Sequence, residues 1–292
     1  MRKTTLLKKM IMERKALVVP GAYDALSAIL IEKTGFKALQ VSGFGIAGSF
    51  LGKPDLGLLT FTEMLVMTKN IVKSVDIPVM ADGDTGFGNV INLIRTVEEF
   101  ESLGCAGINI EDQTFPKRCG HLEGKSVVSI EEMVAKIKVA VNTKRDKDFV
   151  INARTDAFSI YGIDEAIKRA NAYAKAGADL IFLEALSGKS DVEKAVKKID
   201  APISINLFDA IGGGKTTLIS LEELRNLGVA RVSVPVGTIF AAAKGIKIYL
   251  ERLFEKGVLP DNKDLAMTFD EWKDLLDVDK IYSLERKYLA GD

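Results

Sequence analysis

A chain of 292 residues with 47% hydrophobic content can bury one sizeable core, and an α/β barrel of about 250 residues forms a single domain within that length. Its 40 Lys+Arg balance 40 Asp+Glu, so no global field exists to gather nucleic acid or an anionic membrane, and no stretch is apolar for long enough to span a bilayer. Cys105 and Cys119 are too few for a disulfide framework, so reduced thiols, a cytoplasmic setting and a small-molecule partner are expected.

The basic segment from Met1 to Lys15 carries Glu13 and lacks the apolar core of a signal peptide, which predicts an N-terminal helix. Beyond it, short apolar or β-branched runs at 16–20, 38–42, 78–82, 107–111, 149–153, 180–184, 202–206 and 231–235 read as strands. They alternate with helical patterns at 24–33, 62–75, 89–103, 129–142, 164–176, 191–198, 221–227 and 238–256. That alternation is the pattern of βαβ units around a parallel sheet covered on both faces. Thr60 with Glu63, Ser129 with Glu132 and Ser220 with Glu223 have the spacing of capping boxes, and Gly35, Gly104, Gly177 and Gly228 mark helix stops. Eight units predict a closed (β/α)8 TIM barrel over 1–258; one strand fewer would leave an open doubly wound sheet. The segment 259–292, with the only tryptophan, Trp272, predicts a C-terminal helical extension that caps the barrel or packs on another subunit.

In a parallel barrel the reactive face lies at the C-terminal strand ends. Those ends carry Ser42, Asp82 and Asp84, Glu111, Arg154, Glu184, Asn206 and Pro235. Asp82-Gly83-Asp84 places two carboxylates about one glycine in a strand-to-helix turn, a donor set that suits Mg2+ with its remaining waters, and Glu111 adds a third. A calcium loop is excluded because Leu93 stands where the bidentate glutamate is required; a plain glycine-rich turn remains the alternative. Lys117-Arg118-Cys119-Gly120-His121 sets a thiol between two cations, so a lowered thiol pKa and acid/base work near neutral pH are expected. A Cys–His nucleophile pair and an incidental surface thiol stay open, whereas zinc lacks ligands. Gly212-Gly213-Gly214-Lys215-Thr216 imitates a phosphate loop but has Asp209 where a glycine is needed and follows strand seven.

Ser42-Gly43-Phe44-Gly45, the Asp82 to Gly88 turn, Ile110-Glu111-Asp112-Gln113, Lys117 to His121 and Ala153-Arg154-Thr155-Asp156 together resemble the isocitrate lyase and phosphoenolpyruvate mutase superfamily over nearly the whole chain. The cysteine block is similar to that of its carbon–carbon lyase branch and unlike the phosphonate-forming mutases. The resemblance implies Mg2+, with Mn2+ as an alternative, contacted directly by Asp84 and through water by Asp55, Asp82 and Glu111. It implies that Ser42, the N–H groups of Gly43 and Phe44, and Arg154 hold the oxo-acid half of the substrate. Cys119 would protonate the carbanion, Lys117, Arg118, Gly120 and His121 would form the closing loop, and Glu184 and Asn206 would complete the pocket. Relatives are commonly homotetramers that exchange the eighth helix.

The implied reaction is retro-aldol cleavage of a 2-hydroxy dicarboxylate. Phe269 stands where methylisocitrate lyases carry an arginine for an extra carboxylate, and no arginine lies between Arg252 and Arg286. Gln40 replaces their tyrosine, and Pro235 replaces the serine of oxaloacetate-hydrolysing relatives. A 2,3-dimethylmalate-type substrate, giving pyruvate and propionate, is therefore expected. The alternatives are 2-methylisocitrate cleavage, a phosphonomutase, and a non-catalytic barrel.

Overall fold

The computed structural model describes residues 1–207, 215–256 and 262–289. The chain forms two compact units, Met1–Ile239 and Phe240–Asp292. In chain order the elements are α1 Lys3–Met12, β1 Leu17–Ala22, α2 Ala25–Thr34, β2 Leu39–Val41, α3 Gly43–Ile46, α4 Phe61–Ser74, β3 Val79–Asp82, α5 Val90–Ser102, β4 Gly107–Glu111 and α6 Ile130–Thr143. There follow β5 Val150–Thr155, α7 Phe158–Tyr161, α8 Ile163–Lys175, β6 Leu180–Leu183, α9 Lys189–Lys198, β7 Ile203–Asn206, α10 Leu221–Leu227, β8 Arg231–Val234, α11 Gly237–Lys256, α12 Phe269–Leu275 and α13 Val278–Leu289. A π turn over Ala47–Leu51 continues α3.

All eight strands pair in parallel and close on themselves, β1 against β8, so the expected barrel forms. Closure is driven by strands whose outer faces are apolar. Ile108, Ile110, Ile151, Ala153, Ile181, Leu183, Ile203 and Ile205 are each at most 1% exposed and pack outward against the helices. At the N-terminal end, Leu7 and Ile11 of α1 join Val19, Ala38, Met80, Val150 and Leu180 in a separate apolar plug. The predicted N-terminal helix thus seals one mouth of the barrel and leaves the polar mouth at the other end. Register aligns Asp82 with Asn109, Glu111 with Arg154, Arg154 with Phe182 and Asn206 with Ser233. Because alternate residues face inward, these side chains share the upper interior of the barrel.

Local chemistry sets the boundaries. Reciprocal capping boxes form at Thr60 and Ser220. At Ser129 only the hydroxyl half forms, accepting from the Glu132 N–H, while the Glu132 carboxylate lies 3.8 Å from Lys136. Strands β1 and β5 run further than the pattern suggested, because Ala22 pairs with Val41 and Thr155 with Leu183. Helices α3 and α7, each of four residues, were too short to show a helical period.

In the C-terminal unit, Thr268 and Glu271 cap α12 reciprocally, and Arg252 of α11 makes two contacts with Asp264 at 2.9 and 3.0 Å. Ile246, Leu250, Phe254, Ile281, Leu284 and Leu289 are exposed. No described helix is long and apolar enough to cross a membrane.

Barrel closure presses Gly21 against the end of β8. A Cβ there would lie 2.2 Å from the Pro235 carbonyl oxygen, a backbone atom that cannot swing away, whereas a Cβ on Gly48 meets open space. Gly21→Ala is expected to cost about 1–3 kcal/mol by overpacking, and Gly48→Ala to stay within about 0.5 kcal/mol. Urea unfolding midpoints check this, and equal midpoints would contradict it.

Candidate active site

The polar mouth holds a cavity of about 60 Å³ lined by Ser42, Gly43, Phe44, Asp55, Asp82, Asp84, Glu111, Lys117, Arg118, Cys119, Gly120, His121, Arg154, Glu184, Asn206 and Pro235. Every residue singled out in the sequence as a site candidate is therefore brought to one place. Gln40, Asn109, Phe182 and Ser233 line it as well.

The turn after β3 is built around Asp82. Its Oδ2 accepts the Gly43 N–H at 3.0 Å and its Oδ1 the Asp84 N–H at 3.2 Å, so one carboxylate ties the β2 and β3 loops together. The Gly43 N–H expected to meet an oxo acid is thus engaged by Asp82, and the Ser42 hydroxyl accepts the Gly45 N–H, capping α3. Gly43 has to be glycine, since a Cβ would lie 2.7 Å from Asp82 Oδ2. Asp84 sits at φ +44° and Ala185, next to Glu184, at φ +58°. Left-handed backbone at non-glycine residues costs on the order of 1–3 kcal/mol and clusters at functional sites.

Five carboxylates line the cavity (Asp55, Asp82, Asp84, Glu111, Glu184) against three obligate cations (Lys117, Arg118, Arg154), an excess of two negative charges. Lys117 Nζ lies 2.7 Å from Asp55 and 2.8 Å from Asp84, and these buried partners hold its pKa well above the usual lysine range against the cost of desolvation. Burial pushes Asp84 up to about 7, with Lys117 opposing and Asp82 and Asp55 adding to the rise. Burial also raises Glu111 well above the carboxylate range, although Arg154 and Lys117 oppose it. Asp84 Oδ1, despite its ion contact, and Glu111 Oε1 are buried without a well-formed hydrogen bond. Buried, underneutralised carboxylate oxygens of this kind fit a hard divalent cation. Among the described residues no three acidic, histidine or cysteine side chains form a ready metal cage. A cation here would be held by one or two carboxylates and water.

On the other side Arg154 spans the opening. Its Nε and Nη2 donate to Asp156 at 2.8 and 3.0 Å, and its Nη1 lies 3.3 Å from Glu184. Burial works against the charge on Glu184, but Arg154 and His121 outweigh it and hold the carboxyl at about 2. The backbone N–H of Lys215 donates to His121 Nδ1 at 3.1 Å, and His121 Nε2 lies 3.2 Å from Glu184 Oε1. Gly212, Gly213 and Gly214 of the phosphate-loop imitation lie outside the described residues.

The thiol departs from expectation. Cys119 is pushed up to about 11 by burial, with Asp55 and Glu184 adding to the rise and Arg154 opposing it. Its flanking cations do not face it: Lys117 is spent on Asp55 and Asp84, and the exposed Arg118 donates to the Glu123 carbonyl at 2.9 Å. Sequence neighbours were mistaken for spatial ones. A protonated thiol is nonetheless what a proton donor requires.

Sequence reasoning missed Arg231, which is wholly buried at the start of β8 and donates to Gln40 and, at 3.0 Å, to Ser204. Desolvation lowers its pKa to about 9, with Asp82 opposing, so it remains charged at neutral pH. The available signal was the alternation of β8, which turns Arg231 and Ser233 to the same inner face.

An eight-stranded parallel barrel with its polar cluster at the C-terminal mouth has the layout of a (β/α)8 enzyme. The chain belongs to the phosphoenolpyruvate phosphomutase family, whose model matches residues 7–254. It is 42% identical to a 2,3-dimethylmalate lyase of Eubacterium barkeri, over 98% of both chains. It is 43% identical to a 2-methylisocitrate lyase of Aeropyrum pernix, over 92% of this chain and 86% of that one. The solved structure of a phosphonopyruvate hydrolase in complex with oxalate and Mg2+ superposes with a TM-score of 0.89 at 28% identity, covering 99% of this chain and 100% of that one.

The raised thiol pKa is directly measurable. Iodoacetamide traps thiolate, and Cys105 is buried and itself pushed up to about 12. The alkylation rate of Cys119 is expected to keep rising past pH 9.5; a plateau below pH 8 would show a lowered pKa instead.

Proposed function

We propose that the protein is a Mg2+-dependent carbon–carbon lyase that cleaves a branched 2-hydroxy dicarboxylate such as 2,3-dimethylmalate to pyruvate and propionate. The observation that carries this is one cavity that gathers an underneutralised carboxylate cluster on the β3–β4 side and the Cys119 thiol, whose pKa burial raises, on the loop after β4. Asp84 is the direct metal ligand in this proposal, with Asp55, Asp82 and Glu111 acting through water; Mn2+ has the same donor preference. Bound there, the ion would supply Lewis acidity toward the 2-hydroxyl and its neighbouring carboxylate.

The protein's own residues account for the rest. Arg154, already oriented by Asp156 and Glu184, receives a substrate carboxylate. Ser42, Gly43, Phe44, Asn206 and Pro235 shape the oxo-acid end, and Arg118, Gly120 and Glu184 the other. As the 2-hydroxyl gives its proton to a carboxylate of the Asp82–Glu111 cluster and its oxygen becomes the carbonyl of pyruvate, the carbon–carbon bond breaks and its electron pair stays on the other fragment as a carboxylate-stabilised carbanion; Cys119 Sγ–H delivers a proton to that carbon and is left as thiolate. Lys117 and His121 hold the loop in place through Asp55, Asp84 and Glu184, which excludes water from the intermediate. The absence of an arginine between 252 and 286, with Arg252 paired to Asp264, favours a dicarboxylate over the tricarboxylate 2-methylisocitrate. We retain 1–258 as the catalytic barrel and 259–292 as the helical extension. Cytoplasmic placement fits two free thiols.

The proposal extends to a homotetramer with an exchanged eighth helix. An apolar groove lined by Val18, Pro20, Leu30, Ile31 and Phe36 opens on the barrel wall, and α11 carries exposed Ile246, Leu250 and Phe254, surfaces that an exchanged helix would bury.

Incubation with each acid and Mg2+, with pyruvate measured by a coupled dehydrogenase, tests the assignment. Pyruvate is expected from 2,3-dimethylmalate and not after chelation. Cys119→Ala should lower kcat by at least about 100-fold, the usual range for loss of a general acid, while pyruvate still binds. Conversion of phosphoenolpyruvate to phosphonopyruvate unaffected by that substitution would favour a phosphonomutase, and pyruvate from neither acid would sink the lyase assignment.

A further inference from the structure

Lys125 lies four residues beyond the cysteine block, does not line the cavity, and yet its side chain is only 2% exposed. A lysine is buried this deeply only when its ammonium finds partners that replace water. Nζ donates to the carbonyl oxygen of Gly120 and lies 3.6 Å from Asp156 Oδ1. The two partners belong to different parts of the site. Gly120 follows Cys119 on the loop, and its backbone rests on the Arg154–Glu184 pair: a Cβ there would lie 2.4 Å from Glu184 Cγ and 2.6 Å from Arg154 Nη2. Asp156 immediately follows β5. It is fully buried, orients Arg154 through two hydrogen bonds, and donates its own N–H to Asp112 Oδ1 at 3.0 Å.

We propose that Lys125 is a positioning residue that clamps the cysteine loop over Arg154, joining the Gly120 carbonyl to Asp156 through one ammonium. Closure of the loop and orientation of the guanidinium then become a single event. The Gln113 side chain, which bonds the Arg118 backbone in both directions at 2.8 and 3.0 Å, shapes the loop near its own strand end. Lys125 reaches across to the neighbouring strand, and this tie fixes where Cys119 stands relative to Arg154. The consequence for turnover rests on the lyase assignment; the clamp itself does not.

The test is the iodoacetamide labelling rate of Cys119 in the full-length protein at pH 8.5 without ligand, with Cys119→Ala as the blank for Cys105. Lys125→Met is expected to label at least about tenfold faster than the parent, because an unclamped loop opens more often. Lys125→Arg, which keeps a cation, should stay within about threefold of it. The sign separates clamp from charge, since losing a nearby cation raises a thiol pKa and would slow labelling. Lys125→Gln replaces the methionine variant if circular dichroism shows that it does not fold. With 2,3-dimethylmalate, kcat of the folded variant should fall at least about tenfold with KM changed less than about threefold. Equal labelling rates in the parent and the folded variant would overturn the proposal. Faster labelling in a protein that releases no pyruvate would sustain the clamp and remove the lyase.

Discussion

Five carboxylates share one cavity at the barrel mouth with only three obligate cations, and most of these groups are buried. Like charges in a low-dielectric site cannot all stay ionised unless a cation joins them. Lys117 is the neutraliser that the chain itself provides, bridging Asp55 and Asp84 from the loop after β4. Burial first, and neighbouring carboxylates second, raise the pKa values of Asp84 and Glu111, and an oxygen of each lacks a well-formed hydrogen bond. A further positive charge bound here would relieve the same repulsion. The likeness to a phosphonopyruvate hydrolase solved with Mg2+ agrees with it.

The same charge pattern divides the site in two. Toward β3 and β4 the carboxylates outnumber their partners; toward β5 and β6 Arg154 is matched by Asp156 and Glu184 and held rigidly. Lys117 ties the loop after β4 to the first half, while His121 and Gly120 rest on the second. A loop held at both ends brings its thiol between them, in surroundings that keep it protonated. In the proposed reading, the carboxylate side would hold a cation and the thiol would donate a proton within one cavity, as retro-aldol cleavage requires.

Much of this was legible in the sequence because barrel strands end in loops that carry the chemistry. Apolar runs ending in Ser42, Asp82, Glu111, Arg154, Glu184 and Asn206 located both the barrel and its mouth, and all six line the cavity. What could not be read were relations across strands. Whether Lys117 faced the thiol or the carboxylates depended on how the loop folded back, and adjacency pointed the wrong way. Asp156 stood out only as the end of the Ala153 to Asp156 motif and Lys125 not at all, because nothing along the chain shows that the fold stacks Gly120 on Arg154. Arg231 was missed because a buried cation inside a barrel depends on partners from β2 and β7, neither of which is near it in the chain. Short elements such as α3 escaped for a different reason: four residues hold barely one helical turn.

In the proposed reading a divalent ion takes up the charge of the carboxylates at this mouth. Calorimetric titration of the protein with Mg2+ at pH 7, repeated in buffers of different ionisation enthalpy, measures it without any substrate. Asp84, pushed up to about 7, gives up its remaining proton when an ion binds, so binding at pH 7 should release protons, and release from this group should fall as pH rises above 8. Failure to bind Mg2+, or binding with no proton released at pH 7, would contradict the account.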